Sequence, residues 1–231
     1  MAEIYGPRIV KSGLSLLLDA ADKKSYPGTG TAWNDISGNG YSGTLTNGPT
    51  FNSANGGSIF TDGSDDFVDT NYFGSAVDDY TFSVWFKNDN YSEIKYILSR
   101  GRDGFGNGWS LFNAIRTTGV AIIGVVPTSP GVIGISVDST SVLALNTWYY
   151  ITGVWTAGVS LQVYVNGILE NTVATSGRTI LRSSSYGWVL NTISNTIFTS
   201  GYTAVCHIYN RVLLGSEILQ NYNATKNRFG L

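Results

Sequence analysis

Charge is scarce in this sequence: Asp, Glu, Lys and Arg make up 13% of its 231 residues, about half of the ~25% usual for soluble globular chains. Surface cover must then come from Ser, Thr, Asn and Tyr, as in a β-rich extracellular domain, or in a surface that packs in an assembly or faces sugars. With a net charge of -2 and no basic stripe, nucleic acid has no electrostatic footprint to bind and is excluded as a partner. Cys206 is the only cysteine, so no intrachain disulfide forms and the fold rests on its core and its hydrogen-bonded ladders. His207 is the only histidine, which excludes multi-histidine metal sites and most serine–histidine arrangements. No window holds ~18 consecutive apolar residues, and the N-terminus lacks a basic region followed by an apolar core. The expectation is a chain made in a cytoplasm, without membrane insertion, for which the glycosylation triplets at Asn90 and Asn223 are chance matches.

What is present points to strands. Aromatics reach 13%, with 28 glycines and five prolines, the composition of many short strands joined by turns. Tyr80, Phe82, Val84 and Phe86 alternate with Thr81, Ser83, Trp85 and Lys87, which predicts a core strand. Residues 148–155 are bulky on both faces, as in a central strand covered twice. Leu161, Val163 and Val165 lead into Asn166 and Gly167, a two-residue turn that predicts a hairpin into 168–172. Weaker strands are expected at 14–19, 58–60, 67–69, 96–99, 109–113, 120–126, 132–137, 186–190 and 204–209. Only 214–223 reads as a helix, with Leu214, Ile218 and Tyr222 spaced by four and Ser216 as cap. The fold class is all-β, an antiparallel two-sheet sandwich with one short C-terminal helix. Residues 1–12 read as an arm and 13–231 as one domain.

Residues 33–48 are rich in Gly, Asn and Asp around Trp33, and Asp62, Gly63, Ser64, Asp65 and Asp66 follow. Such residues supply positive-φ positions and side-chain-to-backbone hydrogen bonds, so both stretches predict tight turns, with Trp33 as apolar anchor. Asp35, Asn39, Asp65, Asp66 and the pair Asp78 and Asp79 accordingly read as turn residues rather than cation ligands. Cys206 and His207 are adjacent on a strand and point to opposite faces, the cysteine inward and the histidine outward, so they form no nucleophile–base pair. Residues 101–108 carry four glycines but lack the lysine and following helix of a phosphate loop. Arg100, Arg102, Asp103, Asn107 and Trp109 nonetheless place charge, amide and an aromatic plate together, a candidate glycan loop; the alternative is a solvated loop with Trp109 turned into the core.

The segments 13–20, 33–48, 62–68 and 80–87, the strand at Trp148, the Asn166–Gly167 hairpin and Ile208, Tyr209, Asn210 and Arg211 together resemble the laminin-G-like, pentraxin-like branch of the concanavalin A-like superfamily. Ser25, Tyr26, Pro27 and Gly28 and the ending 221–230 are similar to laminin-G-like domains encoded by bacteriophages among virion structural genes. The resemblance implies a jelly roll that binds glycans, in some members through calcium. Asp103 and Asn107 stand where such domains place half of a calcium site, but 191–196 supplies no carboxylate for the other half, so a site built on Asp103 alone is weak. Glycosidases of the superfamily set paired carboxyls on one strand, and the four glutamates here, Glu3, Glu93, Glu170 and Glu217, fall at no such spacing. The expectation is a non-enzymatic virion protein without cofactor. It would decorate the outer surface of a phage capsid, with other virion proteins (capsid or tail) or further copies of itself as partners and host-surface glycans as ligands. The alternative is a glycan-binding adhesin or lectin module of a tail fibre or of a secreted, extracellular protein.

Overall fold

A computed structural model describes residues 7–74, 79–100, 111–125, 134–177, 187–193 and 197–231. Two antiparallel sheets face each other. The first runs in the order β14 (Ile168–Ala174), β13 (Ser160–Val165), β12 (Trp148–Thr156), β7 (Tyr80–Lys87), β18 (Ser200–Tyr209), β5 (Ser58–Asp62) and β4 (Thr50–Asn52). On one edge of β18, Ser200 to Thr203 pair with β5 while Val205 to Tyr209 pair with β1 (Leu14–Asp19), so one long strand serves two short ones end to end. The second sheet runs β11 (Ile135–Val142), β10 (Val120–Val125), β9 (Leu111–Ile115), β8 (Lys95–Arg100), β15 (Trp188–Leu190), β6 (Phe67–Thr70), β3 (Gly43–Thr46) and β2 (Ala32–Trp33). A short hairpin, β16 (Thr192–Ile193) with β17 (Ile197–Phe198), completes the strands.

The alternation in the sequence decides which residues meet between the sheets. Tyr80, Phe82, Val84 and Phe86 point inward, with Leu161, Val163 and Val165, against Leu98, Ile123, Trp188 and Leu190 of the second sheet. The other face of the same strands builds a second core. Trp85, Trp148, Tyr150 and Val154 lie there under Ile218 of the helix α1 (Gly215–Thr225) and Phe229 just beyond it. Trp85 stacks on Phe229 at 4.1 Å between ring centres and donates its indole N–H to Thr225 Oγ1 at 2.7 Å.

The hairpin turn has φ of 51° at Asn166 and 83° at Gly167, the geometry that an asparagine–glycine pair accommodates at little cost. The open edges are managed by side chains. Glu170 of β14 accepts the N–H groups of Thr140 (2.8 Å) and Ser141 (2.9 Å), which closes β11 against further strand addition.

Three expectations need correction. The 33–48 region is not turns throughout, because β2 and β3 pair with each other and β3 with β6; hydrogen-bonded neighbours make strands at the two ends of a stretch whose Gly, Asn and Asp content reads as turns. The strand expected at 132–137 is described only from Ile135 and continues to Val142. Ser216 does not cap α1. The cap position is Leu214, whose N–H is taken by the Glu217 carboxylate at 2.8 Å, so Leu214 stands exposed at the helix start while Ile218 is buried and Tyr222 stacks on Trp85.

Candidate functional site

The outer face of the second sheet carries a cleft built from side chains of its strands. Along β8, β9, β10 and β11 the outward positions are Tyr96, Phe112, Ala114, Ile122, Gly124, Ser136 and Asp138, matched across the ladder. Gly124 is required beneath Phe112: a Cβ there would stand 2.0 Å from Phe112 Cζ, so the ring lies over the glycine. Tyr96 meets that ring edge-on, at 5.5 Å and 71°. Ile94, Ile122 and Ile135 complete the walls of a cleft of about 250 Å³, with Arg116 and Ser136 also lining it. Beside the cleft Arg116 Nε donates to Asp138 Oδ2 at 2.9 Å, both side chains being only partly exposed. Burial raises the Tyr96 hydroxyl pKa, opposed by the Arg116 charge. The walls are apolar, a guanidinium is held at the rim, and Tyr96 and Ser136 bring hydroxyl groups to the lining. Apolar walls with a few polar groups at the rim are the features of a binding cleft.

Of the candidate glycan loop, Arg102, Asp103, Asn107 and Trp109 lie outside the described residues, and with them the calcium position at Asp103. Arg100 is 3% exposed; it donates to the Phe73 carbonyl at 3.1 Å and lies 5.0 Å from the Tyr80 ring centre. Asn191, at the start of the segment that should have completed a calcium site, is fully buried and bridges Thr61 and Thr203 through its amide.

The turn residues are fastened to the scaffold. Trp33 is fully buried. Asp35 accepts the N–H groups of Leu17, Ser37 and Gly40, and the Asn39 amide donates to the carbonyls of Leu14 and Ser15, so the loop is laced onto β1. Asp79 accepts the N–H of Ala157; Asp78 lies outside the described residues. Asp62, Asp65 and Asp66 bring carboxylate oxygens within 4.8 Å of one another. Two of these carboxylates already serve their own turn: Asp62 accepts the Ser64 N–H and Asp66 the Asp62 N–H. Burial raises the Asp66 pKa, opposed by its backbone hydrogen bond.

Cys206 and His207 do face opposite ways. Cys206 enters the core between the sheets, where burial pushes its thiol pKa up. His207 points away from that core, yet it is 1% exposed, because the second core covers it. Its Nδ1 lies 2.9 Å from the Tyr150 hydroxyl, and its Nε2 has no partner among the described residues. Sequence alternation gave the direction of the side chain; nothing local to it announced the helix that covers it. Among the described glutamates, Glu93 pairs with Lys95, Glu217 with Arg211, and Glu170 holds the β11 edge.

The cleft was absent from the sequence expectations. Its one legible signal was the aromatic and aliphatic content of 94–96, 112 and 122, which alternation alone could not distinguish from core.

The sequence pattern of the concanavalin A-like lectin/glucanases superfamily (laminin-G-like) matches residues 62–219. No curated protein matches the chain in sequence. Among solved structures, domain 4 of AbnA, an extracellular arabinanase from Geobacillus stearothermophilus in complex with arabinotriose, superposes with a TM-score of 0.69 at 13% identity, covering 91% of this chain and 98% of that one. The binding domain of Paraclostridial Mosquitocidal Protein 1 gives 0.68 at 15% identity, over 94% of this chain and 53% of that one. A mutant of Trypanosoma rangeli sialidase displaying trans-sialidase activity gives 0.66 at 15% identity, over 96% of this chain. This chain spans 34% of the sialidase. At such identities the shared property is the fold.

Proposed function

Since the chain belongs to the concanavalin A-like lectin/glucanase superfamily, we propose that it is a non-catalytic carbohydrate-binding module whose ligand sits in the cleft on the outer face of β8 to β11. The observation that carries this reading is the cleft itself: an aromatic corner made by Tyr96 and Phe112, with the Arg116–Asp138 pair and Ser136 beside it. Sugars present C–H faces to apolar walls and hydroxyls to charged or polar groups, and this cleft supplies both. The arabinanase domain, which was solved with arabinotriose and matches this chain over nearly its whole length, lends support. The described glutamates are occupied by structural contacts, which favours binding over hydrolysis. A glycan array should show saturable binding without release of reducing sugar. Silence across the array overturns carbohydrate binding, and sugar release overturns its non-catalytic character.

A second reading, a capsid-surface decoration protein of a virion, is favoured by the exposed aliphatic group Ile168 (59%), Leu169 (46%), Leu214 (66%) and Leu219 (38%) around the hairpin tip and α1. On a surface poor in charge such a group suits packing against a neighbouring virion protein. Mass spectrometry of purified particles should then find many copies on the head; one or a few copies at the tail tip overturns it.

A further inference from the structure

Resting on the carbohydrate-binding reading above, we propose that the cleft selects a sugar residue bearing both a carboxylate and an acyl or methyl substituent, with Arg116 as the partner of the carboxylate. The argument starts from how Arg116 is held. Only its Nε is engaged, by Asp138 Oδ2 at 2.9 Å; neither Nη has a partner among the described residues. Asp138 is fixed in turn, standing opposite Ile122 in the ladder and accepting at its carbonyl from Asn171 Nδ2 at 3.1 Å. A guanidinium is a planar fork, so fixing Nε fixes the direction in which the two Nη groups present their N–H bonds. That unused edge is complementary to a carboxylate, which it can take with two parallel charge-assisted hydrogen bonds.

A neutral sugar makes poor use of this group. Its hydroxyls replace water on the guanidinium with little net gain, whereas a carboxylate adds charge attraction in a site partly walled by hydrocarbon. The negative charge of Asp138 opposes a second carboxylate, but it is bound to Nε and its side chain is 42% exposed, so water screens it. The rest of the cleft asks for something apolar. Ile94, Ile122, Ile135 and the Phe112 ring line it, and an acetyl or other short acyl group packs against such walls as the hydroxyls of a plain hexose do not. About 250 Å³ is below the roughly 300–1,000 Å³ of sites for drug-sized ligands, which fits one terminal residue rather than a length of polysaccharide.

Four probes separate the two demands: glucose has neither group, N-acetylglucosamine only the acetyl, glucuronic acid only the carboxylate, and N-acetylmuramic acid both. Titration of the intact chain by calorimetry or NMR should rank N-acetylmuramic acid tightest, about tenfold or more over N-acetylglucosamine. Arg116→Met should erase that margin with the circular dichroism spectrum unchanged, and Arg116→Lys should restore part of it. Equal affinity for the acidic and neutral members, a margin that survives Arg116→Met, or array signals confined to neutral glycans overturns the selectivity while leaving carbohydrate binding intact. No binding to any of the four or to the array overturns both.

Discussion

The two outer faces of this sandwich have met different fates. That of the first sheet carries Trp85, Trp148 and Tyr150, and the chain returns after β18 to cover them with α1 and Phe229, so the aromatics are closed into a second core. That of the second sheet carries Phe112, Ala114 and Ile122 with, among the described residues, only Ile193 buried beside them, and Ile94 and Tyr96 remain partly accessible. A face of aromatic and aliphatic residues is therefore core or cleft according to what lies over it. The single α-helix of the described residues was spent on one side, and the side left without it carries the cleft with its hydrocarbon walls and oriented guanidinium.

That contrast breaks first at Trp85. Replacing it with Ala removes the contact with Phe229 and the indole bond to Thr225, and denaturant unfolding should show a loss of about 3–5 kcal/mol. A loss under about 1 kcal/mol would mean that the covered face is no second core.

Acid probes the same face through His207, whose pKa is lowered to about 3, first by burial and then by the charge of Lys11. The fold favours the neutral imidazole, so this stability is complete above the ordinary histidine value of about 6.5 and is lost as pH falls from there towards 3, by up to about 1.4 kcal/mol per pH unit. Unfolding midpoints should decline between pH 7 and 4.5 in the parent chain and flatten in His207→Gln; equal slopes in the two would assign the effect to carboxylates. Gly124→Ala addresses the open face. The new methyl collides with the Phe112 ring, which should cost about 1–3 kcal/mol and abolish ligand binding; retained binding would place the site elsewhere. The smallest effect is expected of Arg116→Met, within about 0.5 kcal/mol in stability, since the Arg116–Asp138 pair is 35% and 42% exposed. A larger loss would make that pair part of the scaffold.

Much of the fold was legible. The alternation over 80–87 put Phe82 and Trp85 on opposite faces, Asn166 and Gly167 marked the hairpin, and the hydrogen bonds of Asp35 and Asn39 to backbone were foreshadowed by the turn chemistry of 33–48. The cleft was not legible, because Phe112 and Ile122 read like any apolar strand residues. Arg116 gave no signal either: its orientation depends on Asp138, 22 positions away in the sequence, across a ladder whose register the sequence does not state.

The sequence by itself determined a sandwich of antiparallel strands without disulfide support, the two faces of its central strands, and the opposite directions of Cys206 and His207. Tertiary structure alone decided that His207 lies buried rather than in water, that the helix closes the first sheet, and that among the described residues the second sheet keeps an open cleft. The physical reason is that the period of a strand fixes which side chains share a face, whereas the cover over that face comes from segments far away in the chain.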